Sequence, residues 1–564
     1  LRTTMRRVLR IILWSIAILA ALLLAGTAWF YLEVRMPDPL TDGDRIAMPP
    51  VEANSDGRQH VGRNWIGKNQ HGLWEIYVEG DDLQRGLAYA ALAGDLVRRQ
   101  EEIFVGRIRR LVPDEGRLKY LKYFVAWFDR GLDEHVPLEF RREIFGVSRA
   151  MADGYDFVGP KYHRALNYHA AHDIGHALQD LAMVGCTSFA AWGDRTTDGG
   201  LLVARNFDFS VGEDFACEKL ITFVAPSDGH PFMTVAWGGF MGAVSAMNLE
   251  GLTVTINAAR SKVPYGAKTP ISLVARDIVQ YAATLDEAIT IAERHEVFVS
   301  ESILVSSARD GRAVIIEKAP DAMDVFTPEG DLLICANHYQ SERFKDTEEN
   351  QANIRESDSM ARYKRMGQLT SAAGPMDPTT AARILRDRSG PDGNDIGMGD
   401  PVSINQLLAH HAVIFQPEKR LAWVSTGPYQ IGEFICYDLN DVFERSASGI
   451  QAGAAYVDSL TIPQDPFLAS EAMTDFVLYR EVRAMITDHV MAGEAFHLAD
   501  REQALFINSN PYSYLTYLAL ADMHRNNGDL KKASTLYSMA LSYPVSSLME
   551  RARIEEKLKA CATN

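Results

Sequence analysis

The chain has 564 residues, 47% of them hydrophobic and 23% charged, with 57 lysines and arginines against 74 aspartates and glutamates for a net charge of −17. That composition excludes collagen-like, low-complexity and wholly disordered chains, and the acidic balance with scattered basic residues excludes a duplex nucleic-acid binder. The length leaves room for about three to four domains, while a mean hydropathy of −0.13 and a single bilayer-length apolar run exclude a polytopic membrane protein.

Residues 1–10 form a stub carrying Arg2, Arg6, Arg7 and Arg10, and 11–32 are uncharged and apolar, with Trp14, Trp29, Phe30 and Tyr31 toward the ends. This run reaches the ~20 residues needed to cross a bilayer, and the arginines keep the stub cytoplasmic, so the reading is a transmembrane anchor with the remainder exported to the periplasmic or extracellular side. A cleaved signal peptide competes, because Gly26-Thr27-Ala28 is a small-x-small site. Residues 33–70 are rich in Pro, Asp and Gly and read as a linker.

Residues 71–185 show helical spacing through Leu83, Leu87, Leu92, Leu96, Ile103, Ile108, Phe124 and Phe128. From 186 to 445 the pattern changes to short β-branched and aromatic runs such as CTSFAAW, LLVARNFDF, GLTVTINAA, LLICANHY and RLAWVSTG between turns. Strand-rich order with few helices predicts an α+β domain. Residues 446–564 return to helical spacing, and 514–544 resemble one degenerate tetratricopeptide (TPR) unit or an ordinary helical hairpin.

Five cysteines without CxxC or Cys/His zinc spacing exclude a disulfide scaffold and are judged singly. Cys217, Cys335, Cys436 and Cys561 could pair in three ways in an oxidising compartment, but Cys335 and Cys436 sit in apolar strands and read as core thiols. His163, His169, His172 and His176, with Asp173, share a helical stretch that invites a metal site, yet unligated histidines are the better reading. No metal or cofactor is expected.

Cys186 is different. It opens a strand, Gly193–Gly200 supply the turn, and Leu201–Phe209 return; an antiparallel pairing that sets Cys186 opposite Asp208 brings thiol, carboxylate and the Arg205 guanidinium onto one hairpin. A nearby cation lowers a thiol pKa, but a cysteine nucleophile also needs a base. A structural cysteine and a simple Arg205–Asp208 ion pair are the plain alternatives.

Gly-Cys-Thr-Ser, the Asp-Gly turn and Arg-Asn-x-Asp resemble the N-terminal-nucleophile (Ntn) hydrolases of the isopenicillin N acyltransferase (acyl-CoA:6-aminopenicillanic acid acyltransferase-like) family, related to choloylglycine hydrolases and penicillin V acylase. The resemblance spans roughly residues 71–440 and implies a four-layer αββα sandwich matured by self-cleavage between Gly185 and Cys186. It implies Cys186 as nucleophile, with Arg205 and Asp208 from the Arg-Asn-x-Asp motif. GLTVTIN places Asn257 where a backbone N–H serves the oxyanion hole. ICANHY places Asn337 as its side-chain donor, with Ala336 replacing the usual Thr. SMARYKR makes Arg362 the second active-site arginine, although Arg355 and Arg365 lie close by. Upstream, GDDLQRGLAYAALAGDL is similar to a helix of the family's prosegment, and Asn167 and Asp173 fall where the family has Asn and Asp.

The freed α-amino group, with a reference pKa of about 7.7 to 8.0, is then the base. The expected activity is hydrolysis or transfer of an N-acyl group through a thioester on Cys186. The expected partners are an N-acyl amine or amide, an acyl-CoA or amine co-substrate, the membrane, and a protein on the helical tail. A catalytically silent membrane-anchored domain, acting as a protein scaffold through that tail, is the alternative.

Overall fold

The computed structural model describes residues 2–53, 57–112, 114–178, 185–208, 213–260, 266–408, 410–449 and 453–562. Two mostly antiparallel sheets carry the molecule. The larger runs, in spatial order, through Glu52–Ala53, Gln59–Val61, Asn64–Lys68, Trp74–Gly80, Leu220–Pro226, Phe232–Ala236, Ser245–Asn248, Leu252–Ala258, Glu301–Ser307, Arg312–Ala319 and Ala322–Phe326. The smaller orders Leu332–Cys335, Thr187–Ala191, Leu202–Phe207, His411–Gln416, Leu421–Ser425 and Phe434–Asp438.

Alternation along each strand divides its side chains between two cores. In Leu252–Ala258, Val254 and Ile256 join a core shared with helices, leaving Thr253, Thr255 and Asn257 on the other face by the two-residue period. Phe223, Val235, Leu304 and Ile315 of the large sheet meet Val203, Leu333, Val413 and Ile435 of the small sheet in a second core. A third packs Phe189, Ala204, Ile414 and Trp423 of the small sheet against Met366, Ala381 and Leu385, which lie on helices Ser359–Ala372 and Pro378–Leu385.

The segment before Cys186 differs from expectation. Residues 33–70, read as a linker, supply three strands of the large sheet; Met36 is buried and Asp44 pairs with Arg142 at 2.8 Å. These strands are two to five residues long, too short for a periodic signal against the Pro, Asp and Gly around them. Residues 71–185 open with a strand, Trp74–Gly80, paired in parallel with Leu220–Pro226. Helices Asp82–Leu111 and Leu138–Ser148 follow and cross so closely that a side chain at Gly86 would strike the backbone of Glu143, and one at Gly146 the backbone of Gly86.

The N-terminal helix Arg2–Glu33 includes Met5–Glu33, long and apolar enough to cross a membrane, with a window hydropathy of 2.6 and no buried residues in that window. Such a helix fits an anchor or a signal sequence. Its Phe30 stacks on Trp127 at 5.9 Å. At the other end, Glu471–Ala492, Asp500–Ser509, Tyr514–Asn526, Leu530–Ser542 and Leu548–Ala562 are helices; the third and fourth form a hairpin over 514–544.

Candidate active site

Strands Thr187–Ala191 and Leu202–Phe207 pair with Thr187 opposite Asn206 and Ser188 opposite Arg205. The expected register, Cys186 opposite Asp208, is therefore off by one residue. In a sheet such a slip reverses every side chain: the observed register puts Arg205 on the face of Cys186 and Ser188, and Asp208 lies just past the strand end. The connection causes the shift, since a 3-10 turn at Gly193–Arg195 opens it and the ladder closes at Ala191 and Leu202.

Cys186 is fully buried. Arg205 Nη2 donates to its Sγ at 3.5 Å; Nη1 donates to the carbonyl of Val244 at 2.5 Å and to Ser245 Oγ at 2.7 Å, and Nη2 also donates to the Ile256 carbonyl. Arg205 and Asp208 form no ion pair with each other. Burial pushes the thiol up to about 11; Arg205 opposes this and Asp208 adds to it. Asp208 is buried with neither carboxylate oxygen hydrogen-bonded among the described residues. Burial raises its pKa to about 8 against the pull of Arg362 and Arg205. Its backbone carbonyl accepts from Gly185 N at 3.1 Å and from the Cys186 thiol at 3.9 Å.

Arg362 is the arginine the fold selects. It is buried and donates through Nη1 to the Cys186 carbonyl at 2.7 Å and to Thr187 Oγ1 at 3.0 Å. Through Nη2 it donates to Asn337 Oδ1 at 2.9 Å and Asp358 Oδ1 at 2.8 Å. Its neighbour Arg365 is engaged with Asp387 instead. Asn337 Nδ2 donates to the Ala258 carbonyl at 2.8 Å, so in the intact chain this amide already has an acceptor. Asn257 spends its side chain as a clamp: Nδ2 donates to the carbonyls of Cys335 at 3.0 Å and Ala336 at 3.2 Å, and Oδ1 accepts from Ser188 at 3.1 Å. Of the residues singled out in the sequence, Arg205, Asp208 and Arg362 bond Gly185 or Cys186 directly, Asn337 is joined to them through Arg362, and Asn257 bonds Ser188 two residues along the strand.

Two groups at the site carried no sequence signal. Gln406, on the loop before His411–Gln416, donates through Nε2 to the Gly185 carbonyl at 3.0 Å. His411 holds Ser245 Oγ at 2.8 Å, behind Arg205.

A cavity of about 780 Å³ is lined by Arg260, Phe298, Ser300, Tyr339, Arg343 and Phe344, among others. Arg260 and Tyr339 follow Asn257 and Asn337 by three and two residues.

The histidine stretch is a different matter. His169 Nδ1 meets the Ala165 carbonyl and its Nε2 accepts from Met241 N, both at 2.8 Å, which leaves no lone pair for a metal. His163 Nε2 meets the Met36 carbonyl at 3.0 Å. The side chains of His172, Asp173 and His176 lie outside the described residues. Among those described, no group of three or more His, Cys, Asp or Glu could hold a metal ion. Among the described residues no disulfide joins any two cysteines.

Residues 195–427 match the model of the acyl-coenzyme A:6-aminopenicillanic acid acyl-transferase family, and the resemblance read from the motifs holds over this stretch, which begins nine residues after Cys186. The match is to a family of acyl-transfer enzymes. Among curated proteins, an uncharacterized protein of Archaeoglobus fulgidus is 27% identical over 364 residues, 57% of this chain and 59% of that one. Protein dcd1B of Dictyostelium discoideum is 23% identical over 223 residues, covering 39% and 41%. The chain therefore spans about two fifths to three fifths of the length of these relatives. Among solved structures, a Caenorhabditis elegans N-acylethanolamine-hydrolyzing acid amidase ortholog matches at 17% identity and a TM-score of 0.31, over 41% of this chain and 93% of that one. A mutant conjugated bile acid hydrolase from Clostridium perfringens matches at 12% and 0.32, over 45% and 93%.

Proposed function

We propose that the chain is the precursor of a cysteine Ntn amidohydrolase or acyltransferase, built on an αββα sandwich and activated by cleavage of its own Gly185–Cys186 bond. The observation that carries this reading is the pairing of a buried thiol under Arg205 with an Asp208 carboxyl that has no hydrogen-bond partner among the described residues. A buried carboxylate without a partner is costly. Cleavage would create an α-ammonium at Cys186, beside Asp208, and so supply the missing donor.

In the matured site the α-amine, with a reference pKa of about 7.7 to 8.0, takes the thiol proton. Sγ attacks the acyl carbonyl of an N-acyl amine; the oxyanion is held by the Asn257 backbone N–H and the Asn337 amide once the latter leaves Ala258. The amine departs with the proton, and water or a second amine resolves the thioester. Arg205 steadies the thiolate and Arg362 the strand that carries it. The cavity beside Asn257 and Asn337, with Phe298 and Phe344 alongside Arg260 and Arg343, suits an acyl chain joined to a polar or anionic end. The N-terminal helix is read as a membrane anchor with the catalytic part exported, and the 514–544 hairpin as TPR-like.

N-terminal sequencing of the purified protein tests the reading. The expected result is a 379-residue fragment beginning at Cys186, absent from Cys186→Ala, with amidase activity appearing only alongside it. A folded wild-type chain that stays whole overturns the proposal in favour of the silent scaffold.

A further inference from the structure

The bond proposed for cleavage is held on both sides. Its carbonyl, Gly185 O, accepts from Gln406 Nε2 at 3.0 Å. The next carbonyl, Cys186 O, accepts from Arg362 at 2.7 Å. On the far side, Gly185 N donates to the Asp208 carbonyl at 3.1 Å. Gln406 is buried and sits on a fixed loop. Asn405 N donates to Asp387 O at 2.8 Å, Asn405 Nδ2 to Tyr429 O at 3.1 Å, and Leu407 N to Asn405 Oδ1 at 2.9 Å. Arg480 Nη1 clamps the Leu407 carbonyl at 2.6 Å. A side chain at 185 would strike the Gln406 amide, so glycine is what lets that donor reach the carbonyl.

Resting on the self-cleavage reading, we propose that Gln406 is the oxyanion donor of maturation. The Cys186 thiol gives up its proton and Sγ bonds to the Gly185 carbonyl carbon, driving the π electrons onto the oxygen, where Gln406 Nε2–H receives the charge. Collapse restores the carbonyl, breaks the C–N bond and sends the proton to the departing Cys186 nitrogen. The product is a thioester between Gly185 and Cys186 Sγ. Water then hydrolyses it to the Gly185 carboxylic acid and a free thiol beside the new α-amine. A preorganised donor about 2.7 to 3.1 Å from the developing oxyanion contributes most where water is excluded, as at this buried peptide bond. Neither Asn257 nor Asn337 donates a side-chain hydrogen bond to Gly185 O here, since both amides are bound to other carbonyls. The donor for maturation is thus a different residue from the side-chain donor assigned to turnover.

The test is a time course of conversion to the 185- and 379-residue fragments on denaturing gels, using the full chain with thermal melts to verify folding. Gln406→Leu is expected to slow conversion by about 10²- to 10³-fold, the usual cost of one oxyanion donor. Gln406→Glu supplies a readout that a structural role would not move. Its carboxylate repels the oxyanion when ionised and donates when protonated, so its rate relative to wild type should climb as pH falls from 8 to 5. A folded Gln406→Leu that converts at the wild-type rate overturns the assignment, as does a Gln406→Glu ratio flat with pH. A wild-type chain that never converts is a separate failure, that of self-cleavage itself, visible without either variant.

Discussion

Asp208 offers a direct reading of the site's electrostatics in the intact chain. An unfolded aspartate releases its proton near pH ~3.9, whereas burial lets Asp208 keep its own to about 8. Across that window the folded state binds more protons than the unfolded one, so this group's contribution makes stability fall as pH rises. In a Cys186→Ala background, which keeps the chain whole, Asp208→Asn should therefore gain in Tm over its parent, the gap widening steadily from pH 5 to 8. A gap constant with pH would mean that Asp208 ionises normally. At this scale the candidate site was legible wherever it is written in a local string: Gly185-Cys186, Arg205 to Asp208, Asn257, Asn337 and Arg362 all stand in short motifs. Gln406 was not legible, because its relation to Gly185 exists only after the 220 intervening residues have folded. The register was missed by one because the connection is longer than a tight two-residue turn, so the Asp-Gly signal did not fix which residues face each other.

The elements upstream of Cys186 are built into the two-sheet body that carries the candidate site. Trp74–Gly80 lies inside the large sheet against Leu220–Pro226, and Glu143 on Leu138–Ser148 bonds Arg85 at 2.8 and 3.1 Å and Arg276 of Ile271–Tyr281 at 3.0 Å. Burial alone would raise the Glu143 pKa, but Arg276 and Arg85 outweigh it and hold it down to about 2. Cleavage at Gly185 should then leave the 185- and 379-residue pieces associated through a shared sheet and a buried ion triad. They should co-elute on gel filtration in detergent and part only in denaturant. Glu143→Ala, which leaves the buried Arg276 without its carboxylate and Arg85 with Glu139 alone, should cost about 3 to 5 kcal/mol in denaturant unfolding. Separation of the native fragments, or a loss under 1 kcal/mol, would show that the interface is held elsewhere. Helical spacing found the helices of this segment but not its strands, since WEIYVEG, buried on both faces for much of its length, lacks the strict alternation that marks a half-exposed strand.

For the molecule as a whole, the tail is the part whose relation to the site the sequence could not convey. Read by pattern, the tail 446–564 fits either a TPR-like module for a protein partner or a helical hairpin packed on the core. In the fold, Met473, Phe476 and Tyr479 share a core with Leu407 and Ile431 from the part that carries the candidate site, and Asn510 exchanges hydrogen bonds with Met398 at 2.8 and 2.9 Å. The decisive contact is Arg480 on the Leu407 carbonyl, with its guanidinium 4.5 Å from the centre of the Tyr429 ring. Leu407 has φ of +52°, a region that non-glycine residues enter only under constraint, and it follows the residue that holds Gly185. The helical tail is therefore linked to the bond proposed for cleavage through Leu407 and Gln406. Removing the clamp should let Leu407 relax and Gln406 drift from the carbonyl, so Arg480→Ala in the full chain is expected to slow fragment formation about tenfold, the kinetic equivalent of roughly 1.4 kcal/mol. Arg501→Ala, on an exposed stretch of the same tail, should leave the rate unchanged. Equal rates for both variants would mean that the tail folds on the catalytic part without bearing on its chemistry.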